Sequence, residues 1–254
     1  MSRNSYRMMA LVLILAVLGS GCANRKKLTR REEADLYYEA GLGYINQGNP
    51  QKAIEQLKIA HDKNKKDPQI IHALGLAYLQ MGMPEKALEW IQKASSYLPE
   101  DPEIHNNLAS VYILLGQFDK GIFHSTKAID NPDYRTPAAA YFNRGICKIR
   151  KGDIDGGEAD FKSAVKHEPM YDMPKIELGR LFIRKNKFDE AIQVLSSAIN
   201  VNSNNPEAYL LRGQAFWQRG YISKAEADFR KILELKNVPP ALIDQAHDWL
   251  ERLR

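Results

Sequence analysis

The sequence predicts an all-α solenoid: six helix pairs followed by a C-terminal capping helix. Three observations carry this. Small residues recur every 34 positions, a glycine recurs at one turn position, and prolines stand at helix entries. Gly41, Gly75 and Ala109 are 34 apart, and so are Gly48, Gly82 and Gly116, and Ala60, Ala94 and Ala128. After a slip of two residues the register resumes at Gly145, Gly152 and Ala164, then runs on by 34 through Gly179 and Gly213. This places repeats at starts near 34, 68, 102, 138, 172 and 206, ending at 238. A fixed period of this length is the signature of stacked units that bury a continuous core between neighbours.

The elements follow in order. Residues 1–21 read as an export signal: Arg3 and Arg7, no acid, then an apolar run from Met8 to Leu18. That run fits a signal h-region of roughly 7–15 residues. It is far short of the roughly 20 a membrane-spanning helix needs. It ends Leu18-Gly19-Ser20-Gly21-Cys22, which resembles the lipobox of bacterial lipoproteins, with leucine four residues before the cysteine rather than three. The resemblance implies cleavage before Cys22 and lipidation of its thiol and amine. Ala23, rather than aspartate, then implies the outer membrane. The alternative is an uncleaved apolar N-terminus with an incidental cysteine. Residues 22–33 form a basic tether, "CANRKKLTRREE".

Within each repeat, small residues at positions 8, 20 and 27 let helices approach closely. Tyr44, Tyr78, Tyr112, Phe182 and Phe216 fill the spaces between them. Gly48, Gly82, Gly116, Gly152 and Gly220 supply the positive φ of the turn, and Asn186 takes that role in the fifth repeat. Pro68, Pro102 and Pro206 suit the first turn of a helix. The segment 239–254 has Leu242, Ile243, Ala246, Trp249, Leu250 and Leu253 on one helical face. It is read as the cap a solenoid needs, with a partner-binding helix as the alternative. The period and the small/aromatic pattern resemble the tetratricopeptide repeat, which implies a right-handed superhelix.

Composition excludes several function classes. With residues 1–21 removed the net charge is +3, no argument for nucleic acid. Cys147 is then the remaining free thiol besides the lipidated Cys22, so no disulfide framework exists, and it reads as a small packing residue. His61, His72, His105, His124, His167 and His247 are scattered. No metalloprotease, redox, hydrolase or phosphate-loop motif appears, and "GDIDGGEADF" lacks calcium-loop spacing. No enzyme activity, cofactor, metal, nucleic acid or small-molecule substrate is expected.

In this repeat family the first helices line a concave groove through positions 2, 5, 6, 9, 12 and 13. The principal candidates are Tyr38, Leu42, Leu76, Leu79, Asn106, Asn107, Ile113, Phe142, Asn143, Ile146, Ile149, Arg180, Ile183 and Trp217. The same register adds Ile45, His72, Ser110, Arg150, Ile176, Arg184, Leu210 and Gln214. Asn107, Asn143 and Arg180 resemble part of the set that clamps C-terminal carboxylates, without its lysines. The expected ligand is therefore an amphipathic partner segment held mainly by apolar burial. The alternative is that several of these residues pack on one another.

One stretch is not generic. Asn106-Asn107, Pro132, Tyr134, Thr136-Pro137, Asn143 and Gly145 occur around the two-residue insertion. With the lipobox and six repeats, this resembles the type IV pilus biogenesis lipoproteins, the pilotins. The resemblance implies a secretin subunit as partner and a role in its outer-membrane localisation and multimer assembly. Pilus and secretion-system secretins both remain open, as does a scaffold for cell-wall hydrolases. Subunits of outer-membrane insertion machines have about five repeats, against six here. Arg144, Ala109 and Lys148 depart from the family pattern, so repeat four is expected to pack less tightly.

Overall fold

The computed structural model describes residues 28–253. Among them thirteen helices and no strands occur. Six pairs follow one another: α1 (Arg30–Asn46) with α2 (Pro50–Lys63), α3 (Pro68–Gln80) with α4 (Pro84–Tyr97), and α5 (Pro102–Leu114) with α6 (Phe118–Ile129). Then come α7 (Ala138–Arg150) with α8 (Ile154–His167), α9 (Asp172–Arg184) with α10 (Phe188–Val201), and α11 (Pro206–Gln218) with α12 (Ile222–Glu234). The single helix α13 (Pro240–Arg252) packs on α12 and α11. Cys22 and the rest of residues 1–27 lie outside the described residues.

The first helix starts earlier than the repeat register suggests, at Arg30 within the expected tether. Thr29 and Glu32 explain it: the Glu32 amide donates to Thr29 Oγ1 (3.2 Å) and the Thr29 amide to Glu32 Oε2 (2.7 Å). This reciprocal box satisfies two of the free donors at a helix start. Asp67, Asp101 and Asn205 cap α3, α5 and α11, each directly before a proline. The turn inside each pair needs a left-handed residue, and φ there is +69, +72, +69, +90 and +75° at Gly48, Gly82, Gly116, Gly152 and Gly220. Asn186 takes 56° in the fifth pair.

Pairs close by one rule. A Cβ on Gly41, Gly75, Gly145, Gly179 or Gly213 would fall 2.3–2.6 Å from Leu57, Ile91, Phe161, Leu195 or Phe229 respectively. The glycine opens room on the first helix for a large side chain from the second, sixteen residues on. The third pair inverts the volumes: Ala109 stands at the glycine place and Ser125 at the large one, both fully buried. Ala109 is thus no loss of fit. Cys147 is also fully buried, against Gly121, whose added Cβ would meet its Sγ at 2.5 Å. Burial pushes this thiol up to about 11, so it stays protonated and acts as packing.

The two extra residues do not loosen the fourth repeat. Asn131 Nδ2 donates to the Glu100 carbonyl (2.8 Å), and its own Oδ1 accepts from the Asp133 amide (2.9 Å). Tyr134 is buried against Ala128, Ala140 and Ile129. The departures at Arg144 and Lys148 are compensated as well. The Arg144 guanidinium meets Asp160 through two bonds (3.0 and 2.8 Å), and Lys148 Nζ joins at 2.8 Å. Arg144 also reaches Thr126 Oγ1 at 3.3 Å. The sixth repeat repeats the device: Arg212 binds Asp228 twice at 2.8 Å and Ser196 Oγ at 3.0 Å.

A pair of imidazoles joins α5 to α6. His105 Nε2 lies 2.9 Å from the Pro99 carbonyl, which can only accept, so that nitrogen donates. His105 Nδ1 then accepts, and His124 Nδ1, 2.9 Å away, donates to it. The His124 ring stacks on Tyr112 at 5.3 Å. Burial first, then the charges of His105 and Lys120, lower His124 to about 4. A folded value below the unfolded one means the unfolded chain binds more protons in between. The contribution of His124 to stability is therefore complete above about pH 6.5 and is lost as pH falls toward about 4. For this partly exposed ring the loss is on the order of 1–3 kcal/mol. Urea melts across that range should show it, and His124→Phe should flatten it. A slope unchanged in His124→Phe would assign it elsewhere.

Candidate partner-binding groove

The first helices α3, α5, α7 and α9 line a surface with two adjoining cavities. One, of about 360 Å³, is walled by Leu79, Ile113, Leu114, Phe142, Ile146 and Met173, with Ser110, Asn143 and Glu177 at its edge. The other, of about 540 Å³, is formed by Ile146, Ile149, Arg150, Glu177, Arg180 and Arg184. Ile146 and Glu177 belong to both, so the apolar and charged halves are continuous. Leu114 is 61% exposed and Met173 37%, an apolar rim open to solvent.

Of the sequence-derived candidates, Leu79, Ile113, Phe142, Asn143, Ile146, Ile149 and Arg180 meet at these cavities. Ser110, Arg150 and Arg184 line them too, and the remaining candidates go elsewhere. Tyr38 and Leu42 pack against the core of the first three repeats, and Ile183 against the C-terminal core. Leu76 is half-buried on α3 and lines neither cavity. Asn106 is 8% exposed, and Ile176 and Leu210 are 0% and 4%. Repeat position 5 in these pairs therefore faces the neighbouring helices rather than the groove. Trp217 meets Trp249 of α13 edge-on at 5.1 Å, so the capping helix partly covers it.

The amides are engaged internally. Asn143 Nδ2 donates to Asn106 Oδ1 and Ser110 Oγ, both at 2.9 Å, a buried link between α5 and α7. Asn107 Nδ2 donates to His72 Nε2 at 2.9 Å, and burial keeps the His72 imidazole below its usual range. Asn143 thus has both amide hydrogens engaged, and Asn107 has one of its two. In the charged half, Arg180 bridges Glu177 (3.4 Å) and Glu207. Burial raises the Glu177 carboxyl above the usual carboxylate range, opposed by Arg180. Arg150 and Arg184 are exposed, and their guanidiniums make no ion pair or hydrogen bond among the described residues.

Leu114, Met173 and Glu177 line the site but are absent from the sequence-derived candidates. They stand at positions 13, 2 and 6 of their repeats, places already assigned to the groove, so carrying the register evenly through repeats three and five finds them. Among the described residues no group of three His, Cys, Asp or Glu side chains is placed to hold a metal. No described helix is long and apolar enough to cross a membrane.

Fold and groove together define an α-solenoid of the kind that serves as a protein-interaction scaffold. Family models described as "Tetratricopeptide repeat" match residues 44–111, 102–131 and 206–238, and one described as "TPR repeat" matches 179–220. The chain is a tetratricopeptide-repeat protein. Among solved structures it is similar to PilF of Pseudomonas aeruginosa, at TM-score 0.75 and 17% identity, covering 88% of this chain and 99% of that one. PilW, a widely conserved type IV pilus biogenesis factor, gives TM-score 0.74 and 19% identity, covering 83% and 97%. The Cut9–Hcn1 heterotetramer of the APC/C gives 0.78 and 14% identity over 96% of this chain but 46% of that chain. At these identities the likeness is one of fold. A curated relative, BBSome complex member BBS4 of Bos taurus, is 29% identical over 83 residues, which is 33% of this chain and 16% of that protein.

Proposed function

We propose that this chain is an outer-membrane lipoprotein, anchored through Cys22, whose groove binds a secretin subunit. It thereby promotes secretin localisation and multimer assembly in type IV pilus biogenesis. The observation that carries this reading is the near end-to-end correspondence with PilF and PilW, 99% and 97% of those chains. The lipobox-like Leu18–Cys22 and the Asn106–Gly145 motif support it independently. The groove suits such a role, because an apolar partner segment seated on Phe142, Ile146 and Leu114 is withheld from water at about 25 cal/mol per Å² buried. A lipid on Cys22 then ties that segment to the target membrane, since two or more acyl chains anchor stably.

The test compares secretin multimers in outer-membrane fractions of wild type, a deletion strain and a Cys22→Ala strain. The expected result is loss of the multimer on deletion, and monomeric or misplaced secretin in Cys22→Ala. Unchanged multimers in both strains would overturn the reading and direct attention to cell-wall hydrolases as partners.

A further inference from the structure

We propose that the groove reads two features of its protein ligand: apolar side chains seated between α5, α7 and α9, and an adjacent acidic side chain held by Arg150 and Arg184. This rests on the groove being the partner-binding surface. The apolar and arginine halves share Ile146 and Glu177, so one bound segment crosses both. Along α7, Phe142 and Arg150 are about 12 Å apart at 1.5 Å per residue, roughly two turns of a helical ligand.

Charge decides what the second half accepts. Arg180 is neutralised between Glu177 and Glu207. The guanidiniums of Arg150 and Arg184 make no ion pair or hydrogen bond among the described residues, Arg150 acting on the Glu177 carboxylate only at longer range, and they open onto the same cavity. Asn143, the asparagine that lines these cavities, has both its donors engaged with Asn106 and Ser110. A ligand carboxylate therefore finds its donors in these two guanidiniums, whose planar forks suit carboxylate geometry. A lysine in its place meets like charge.

The probe is a set of three fluorescein-labelled peptides with one shared apolar helical face, ending in Glu-Glu, Gln-Gln or Lys-Lys. Anisotropy titrations use the purified protein at low salt. The Glu-Glu peptide should bind about tenfold tighter than the Lys-Lys peptide, the sum of two exposed ion pairs. Arg150→Gln with Arg184→Gln should bring all three within about twofold of one another. Both arginines are exposed, and an unchanged melting profile confirms that the variant folds. Leu114→Asp, also at an exposed position, should weaken all three peptides. Equal affinities in the wild type, or no binding of the Glu-Glu peptide, would overturn the charge inference. If Leu114→Asp still weakens peptides whose termini make no difference, the groove stands without the acidic preference. If Leu114→Asp changes nothing, the groove itself is misplaced and the inference falls with it.

Discussion

Asp160→Ala is expected to destabilise the protein by about 3–5 kcal/mol, the range seen when one partner of a buried ion pair is removed. The Asp160 side chain is 5% exposed and satisfies both Arg144 and Lys148, whose side chains are 17% and 23% exposed. Removing the carboxylate leaves two cations facing each other in a poorly solvated place. The pair itself is no large source of stability, because desolvating three charged groups costs nearly what their attraction returns. Asp160→Ala with Arg144→Leu and Lys148→Met should therefore recover most of the loss. Urea denaturation followed by circular dichroism measures both. A cost under about 1 kcal/mol for Asp160→Ala would mean that these charges behave as a solvated surface pair. Asp228→Ala in the sixth repeat should lose less, because only Arg212 is stranded there.

The same residues show what a sequence does and does not make visible. The 34-residue rhythm of glycine and alanine is legible because close helix approach admits few residue types, and it places the helix pairs. Arg144 and Lys148 look like defects when each is compared with a family pattern. Their partner, sixteen residues from Arg144, makes sense of them, and Arg212 with Asp228 repeats that spacing. Pairing across a helix hairpin is a two-residue property that position-by-position comparison misses. The start of α1 is readable, since Thr29-x-x-Glu32 is a capping-box sequence, but the repeat register draws attention to a later start. The groove is legible only in part. Register says which residues a first helix presents; how far each pair rotates on its neighbour decides whether position 5 faces the groove, as Phe142 does, or packs inward, as Ile176 does. Covering of Trp217 by α13 likewise depends on an angle that no periodicity encodes.

Gly145 and Phe161 should show a reversal of sign. Phe161→Ala deletes one of the largest fully buried side chains and is expected to cost about 3–5 kcal/mol, transfer and cavity together. Gly145→Ala in the wild type inserts a Cβ 2.6 Å from the Phe161 ring and 3.2 Å from the Gly157 carbonyl oxygen. A buried ring beside backbone cannot yield cheaply, so overpacking of about 1–3 kcal/mol outweighs the roughly 0.5–1 kcal/mol that alanine gains over glycine in a helix. In the Phe161→Ala background the ring is gone, and the same methyl meets only the Gly157 carbonyl oxygen at 3.2 Å. Gly145→Ala should then stabilise, with a coupling of about 1–3 kcal/mol in a double-mutant cycle. The third repeat already carries this combination, with Ala109 opposite the small Ser125. Denaturant midpoints of the two single variants and the double variant measure the cycle. Additive costs would mean that the glycine is required by the helix approach itself, through the Gly157 backbone, rather than by the volume of the side chain it faces.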